Sequence, residues 1–149
     1  MNKKIIALAT VFLLVFAACK EEKSNSTSGI PFTIAKNYFI KNNIKSIDNP
    51  KIENTKKFNE IFGKVFTSAP DGKPTVIDFS KNYVIAVAKP VTNLKTEMVP
   101  LTLKKNKKEE LVLTYKHITT EKQTFTTRSS FAIIVDKMHQ GTIVLKEVN

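Results

Sequence analysis

The sequence predicts an α+β domain in which a curved, largely antiparallel sheet of six or seven strands is accompanied by one short helix near its N-terminus. Segments rich in Val, Ile, Thr, Tyr and Phe recur from residue 64 to the end, separated by turn-forming residues. Only one segment, around residues 56–62, shows the apolar spacing of a helix. An all-β sandwich with an added helix is the alternative, because the spacing of the strands is compatible with both folds.

The first predicted elements are a short strand within residues 35–44 and the helix. Asn54 or Thr55 can cap the N-terminus of the helix, and Gly63 is a candidate for its left-handed stop. The apolar side chains on one helical face are Phe58, Ile61 and Phe62. A helix of about two turns is too short to persist alone, so this face is expected to dock on the sheet.

The remaining elements are predicted strands. Residues 76–79 are expected to form one of them, and residues 83–88 are apolar on both faces, as in a central strand. Pro100 favours an edge or a bulge within residues 99–103. Residues 104–110 read as a hairpin tip, and the later strands are expected at residues 111–116, 131–135 and 142–148, with a turn at residues 136–141.

The N-terminus has the pattern of a lipoprotein signal peptide, assigned to residues 1–18. Two lysines precede an apolar stretch from residue 5 to residue 16, and small residues stand directly before Cys19, the only cysteine. This arrangement resembles a lipobox, so Cys19 is predicted to become the N-terminus and to carry diacylglyceryl and palmitate chains. The apolar stretch is shorter than the ~20 residues that a membrane-spanning helix needs. An ordinary signal peptide with an incidental cysteine is the alternative.

The residues after the cysteine predict where the protein lies. Lys20, Glu21 and Glu22 are similar to the export signal of surface lipoproteins in Bacteroidota-type bacteria. A small, polar stretch follows, so residues 19–34 are interpreted as a flexible tether and residues 35–149 as one globular domain. We expect a lipid anchor in the outer membrane, at the cell surface, with the periplasmic face as the alternative.

The chain is basic, with 24 Lys and Arg residues against 13 acids. Arg128 is the only arginine, which argues against nucleic acid, because bidentate recognition of bases and phosphates favours arginine. The charge is compatible with an anionic glycan or an acidic protein as partner. We expect the domain to be monomeric.

The sequence offers no recognisable catalytic or cofactor site. His117 and His139 fall on different elements, with no carboxylate or cysteine at metal-ligand spacing, so neither a metal nor a cofactor is predicted. We therefore predict a non-catalytic binding or accessory module rather than an enzyme. The alternative is a hydrolase acting on extracellular glycans through two carboxylates that folding brings together, for example Asp78 and Asp136.

A candidate binding surface lies in the Thr-rich segment of residues 120–128. Its hydroxyl groups surround one aromatic side chain, and the candidate residues are Thr124, Phe125, Thr126 and Arg128. Such a segment suits a glycan or a peptide strand. The alternative is an exposed edge strand that Lys122 and Arg128 protect against self-association.

Two segments resemble the PrcB-like family of small bacterial lipoproteins. They are Lys-Phe-Asn-Glu-Ile-Phe-Gly at residues 57–63 and Ile-Asp-Phe-Ser-Lys-Asn-Tyr-Val-Ile-Ala-Val at residues 77–87. In that family a short helix ending in Phe-Gly leads to an Asp-Phe-Ser-Lys motif that opens a central strand. The resemblance spans about residues 38–148 and concerns the fold. It implies a non-catalytic accessory role, because the family is named for a subunit of a surface protease complex.

Overall fold

The computed structural model describes residues 29–149, so the predicted features at Cys19, Lys20, Glu21 and Glu22 lie outside the described residues. The described part contains nine strands and one short helix, and most strand pairs are antiparallel. The elements are β1 (Thr33–Ile34), β2 (Tyr38–Ile40), β3 (Lys51–Ile52), α1 (Thr55–Ile61), β4 (Phe62–Lys64), β5 (Asn82–Ala88), β6 (Thr92–Lys105), β7 (Leu111–Thr127), β8 (Ser130–Asp136) and β9 (Ile143–Val148). None of the helices described is long and apolar enough to cross a membrane.

β5 lies inside the central four-stranded sheet, whose order is β1-β8-β5-β3. All five residues from Tyr83 to Val87 are buried, which confirms the predicted central strand. Their side chains alternate between two separate hydrophobic clusters, one on each face of the sheet. The central sheet is therefore covered on both faces.

One face is covered by the same ribbon of chain that forms the centre of the sheet. β5 runs on into β6, and β7 runs on into β8, so residues 82–136 form one long antiparallel ribbon, here called the folded ribbon. The ribbon folds back on itself, and Leu103, Leu111 and Leu113 near its tip are completely buried against Tyr83 and its neighbours. β9 extends the tip by parallel pairing with residues 111–116 of β7.

Helix α1 and the two-stranded sheet β2-β4 cover the other face. The Asn54 side chain accepts a hydrogen bond from the Lys57 N–H at 2.9 Å, which confirms the predicted cap. Phe58 anchors the helix, with its ring centroid 5.0 Å from that of Tyr38, 4.8 Å from that of Phe62 and 5.8 Å from that of Phe79. The expected docking of this apolar face on a sheet is confirmed.

The prediction that Gly63 ends the helix in a left-handed conformation is wrong. The helix ends at Ile61 and continues directly into β4, and no glycine of the described chain has a positive φ. Gly63 instead lies opposite Phe39 in the β2-β4 pair. A Cβ atom at residue 63 would lie 2.3 Å from the Phe39 Cζ, so any side chain at this position would displace the half-exposed Phe39 ring.

Other boundaries also differ from the prediction. There are nine strands instead of six or seven, because β1, β3 and β4 have only two or three residues and too little length for a periodic pattern. Residues 76–79 form no strand: Val76 is 91% exposed, and the Asp78 carboxylate accepts a bond from the Ser80 N–H in a local turn. Residues 30–34, assigned to the tether, belong to the folded part, since Phe32 is buried and β1 pairs with β8.

A network around Glu147 in β9 holds the folded ribbon closed. Its carboxylate accepts hydrogen bonds from the Lys89 ammonium, just after β5, and from the Tyr115 hydroxyl at 3.1 Å. His117 Nδ1 lies 3.4 Å from the second carboxylate oxygen. The hydrogen bond from Lys89, aided by that from Tyr115, lowers the pKa of Glu147. The network joins Lys89, in the segment where the ribbon bends between β5 and β6, to β7 and β9.

Replacing Glu147 by Gln should flatten the acid limb of the stability profile. A carboxylate whose pKa is lowered in the folded state contributes stability above its unfolded pKa, and this contribution is lost as the pH falls through the folded value. We expect the urea midpoint of the wild type to fall more steeply below about pH 4.5 than that of Glu147→Gln. Glu121→Gln, which removes an exposed partner of Lys95, is the control. Parallel acid limbs for wild type and Glu147→Gln would contradict this role.

Replacing Gly63 by Ala should displace the half-exposed Phe39 ring and destabilise the protein by about 0.5–1.5 kcal/mol, the cost of forcing a side chain away from its rotamer. The cost should nearly vanish when Phe39 is also Ala, because the clash is with that ring. Urea unfolding of the four proteins in this double-mutant cycle measures the coupling. An undiminished cost of Gly63→Ala in the Phe39→Ala background would show that the glycine is needed for another reason.

Candidate functional site

A groove with a volume of about 910 Å³ lies beside the bend of the folded ribbon. Two runs of five consecutive residues border it: residues 38–42, from β2 and the turn after it, and residues 126–130, where β7 passes into β8. β6 contributes Thr96, Glu97 and Met98. The groove therefore has two borders made of continuous, mostly extended chain.

Asn37 fixes the position of β2 at the border of the groove. It has a φ of 61°, a left-handed conformation that asparagine tolerates better than most residues, and it lies directly before β2. Its amide donates hydrogen bonds to the carbonyls of Asp71 at 2.7 Å and Lys73 at 2.9 Å. The Tyr38 hydroxyl donates to the Thr75 carbonyl at 2.7 Å, and burial raises the pKa of Tyr38. The loop of residues 71–75 thus supports this border.

A large bulge in β7 shapes the second border. Between the pairs Thr92–Thr127 and Leu94–Lys122, β6 advances by two residues while β7 advances by five. Residues 123–126 therefore have too few partners in β6 and bulge from the ladder, with the Phe125 side chain 61% exposed. Bulges of this kind redirect the chain that follows them and are common beside functional sites.

The predicted surface residues are divided between the groove and the bulge. Thr126 and Arg128 line the groove. Thr124 and Phe125 are exposed on the bulge and are not among the groove residues. No local pattern singles out Thr96 or the β2 residues, because their place at the groove depends on the tertiary contact between distant segments.

Three polar atoms among the groove residues are shielded from solvent and have no hydrogen-bond partner in the described part of the chain. They are Thr96 Oγ1, Arg128 Nε and Ser129 Oγ. An unpaired polar atom in a shielded position costs about 1–3 kcal/mol. The hydrogen-bonding capacity of these side chains is therefore unused within the described residues.

The groove has more positive than negative charge. Lys41 and Arg128 lie on its borders, and Glu97 is the carboxylate among its lining residues. The Lys41 ammonium donates to the Asn59 carbonyl at 2.5 Å, and the Arg128 guanidinium donates through Nη1 to the Ile44 carbonyl. Both cations are thus held in place by backbone carbonyls, which leave their charge unneutralised.

The residues considered for catalysis lie elsewhere. His117 contacts Glu147 in the network that holds the ribbon closed, and the His139 carbonyl accepts a bond from the Tyr83 hydroxyl at 2.8 Å. The Asp78 carboxylate is bonded to Ser80, which lowers its pKa, and the Asp136 carboxylate accepts from the Met138 N–H. Among residues 29–149, no group of three or more His, Cys, Asp or Glu side chains is arranged to hold a metal ion.

The chain matches no protein-family model, no curated protein and no solved structure. The resemblance to the PrcB-like lipoproteins therefore stays a prediction.

Proposed function

We propose that this protein is a membrane-tethered lipoprotein whose non-catalytic α+β domain binds a protein or a glycan at the cell envelope. The bound partner occupies the groove beside the bend of the folded ribbon. The anchor is the lipid on Cys19 in the outer membrane, and the domain faces the cell surface, with the periplasm as the alternative.

The observation that carries the binding role is the groove itself. Its volume of about 910 Å³ falls in the range of ligand sites in proteins. It combines two cations fixed by backbone carbonyls with apolar contact surface at Phe39 and Met98. These groups can contact a ligand along an extended path, as a protein segment or a glycan chain requires.

The chemistry of the lining residues supports binding rather than hydrolysis. Glycoside hydrolysis generally uses two carboxylates on either side of the scissile bond. The groove is lined by one, Glu97, while Asp78 and Asp136 are engaged in local turns. A binding module needs none of these groups as an acid or a nucleophile.

The tether follows from the N-terminal sequence. A positive segment, an apolar segment and small residues precede Cys19 in the order that a lipoprotein signal peptide requires. An accessory role in a surface assembly is compatible with the resemblance to PrcB-like lipoproteins. A lipid anchor would keep the groove close to partners in the same envelope.

Cys19 should carry the lipid. Cells that express the full chain and are fed an alkyne analogue of palmitate should incorporate the label into the wild type. The Cys19→Ala variant should take up none, because it lacks the thiol that accepts the diacylglyceryl group. Immunoprecipitation followed by fluorophore coupling measures the label. Equal labelling of both proteins would overturn the proposed anchor.

Blocking the groove should remove binding without unfolding the domain. Asn42 and Asn43 are adjacent and exposed, but only Asn42 lines the groove. We expect Asn42→Trp to weaken binding at least tenfold against a panel of anionic and neutral glycans and solubilised outer-membrane proteins. Asn43→Trp should bind like the wild type, and both should unfold at similar urea concentrations. Equal binding by both variants, or no wild-type binding to any member of the panel at low salt, would overturn the proposed function.

A further inference from the structure

We infer that the ligand of the groove is an extended, acidic polypeptide segment that adds as a strand to the free edge of β2. This inference rests on the proposed function, since it names the ligand class of the same groove. It is carried by the direction of backbone groups on the two borders, and by the charge between them.

The hydrogen bonds around β2 show which of its backbone groups are free. The Val65 N–H donates to the Asn37 carbonyl, and the Lys41 N–H donates to the Ile61 carbonyl, both at 2.9 Å. In an antiparallel pair, backbone groups of successive residues point to alternate sides. The N–H and C=O groups of Tyr38 and Ile40 therefore point away from β4, where no described strand pairs with β2.

The second border carries a backbone edge of the same kind. The Ala35 N–H donates to the Ala132 carbonyl at 2.9 Å, which continues the pairing of β1 with β8. After Ala35 the chain turns away from β8 and continues into β2. Ser130 is two residues before Ala132, so its backbone groups point to the same side as those of Ala132, away from β5. On that side no described strand pairs with Ser130. Ser130 lines the groove.

These edges favour a peptide over other ligands of similar size. β2 has three residues and spans about 10 Å of extended chain, enough for alternate residues of a short peptide segment to bond its backbone. Strand addition takes its affinity from such main-chain hydrogen bonds and its specificity from pockets for alternate side chains. Phe39 and Met98 offer apolar contact for one set of side chains.

The charge of the groove selects an acidic segment. Lys41 and Arg128 are held on its borders by backbone carbonyls, so their positions are set before a ligand arrives. The net charge of the chain, +11, acts in the same direction at long range. A carboxylate on the peptide would find both cations in place and would be opposed by Glu97 alone among the lining residues.

In the test, the full chain is immobilised in detergent. A phage-displayed library of random 12-residue peptides is then selected for binding to it. The best binder is synthesised with N-methyl groups on alternate residues, in the two possible registers. We expect methylation in one register to weaken binding at least tenfold and methylation in the other to weaken it at most a few-fold, because β2 offers outward backbone groups at Tyr38 and Ile40 and the second border offers them at Ser130. Replacing the Asp and Glu residues of the peptide by Asn and Gln should weaken binding several-fold at low salt.

Protein variants locate the peptide. Asn42→Trp should abolish binding. Asn43→Trp is the matched control, because Asn43 is adjacent and exposed but does not line the groove. Peptide binding that survives Asn42→Trp, or that responds equally to both methylation registers, would overturn strand addition.

A glycan panel run in parallel separates this inference from the proposed function. If no peptide is enriched but a glycan binds and is lost in Asn42→Trp, the groove is a binding site and the peptide inference is wrong. If neither peptide nor glycan binds, both the peptide inference and the proposed function are wrong.

Discussion

The return of the folded ribbon onto its own central strands is the constraint on which the rest of the structure depends. Leu103, Leu111 and Leu113 are fully buried only because residues 82–136 bend and place the tip against Tyr83 and Ile85. Burying one such leucine contributes about 1.5–3 kcal/mol, a large fraction of the 5–15 kcal/mol that stabilises a typical domain. No disulfide can assist, since the chain has a single cysteine.

The bend that completes the core also creates the candidate site. β-bulges bend the strand that carries them, and the largest mismatch in the pairing of the ribbon lies at residues 123–126 of β7. The bulge lies directly before Thr127 and Arg128, which border the groove. On the other border, Gly63 has no side chain and so leaves room for the ring of Phe39 in β2. The groove is thus a consequence of how the core closes.

The sequence predicts those parts of the fold whose signal is local. The apolar run of residues 83–88 identified the central strand, and the spacing of Phe58, Ile61 and Phe62 identified the helix, because burial imposes a period on the residues themselves. At Gly63 the local signal is ambiguous, because both a left-handed cap and a close ring contact favour glycine. Of the predicted surface residues, Thr126 and Arg128 line the candidate groove, whereas the place of Thr96 beside them depends on register shifts that no local pattern encodes.

An open strand edge is a liability, because it can pair with any other exposed strand, and proteins generally shorten, charge or cover such edges. β2 is short, at three residues, and is followed by Lys41, yet its outward backbone groups are left without a strand partner in the described structure. Its position within a groove changes the consequence. Residues 126–130 lie across the groove from this edge, and the two borders carry Lys41 and Arg128. Charged side chains are one of the means by which proteins protect an exposed edge, so the cations of the groove limit the liability of β2.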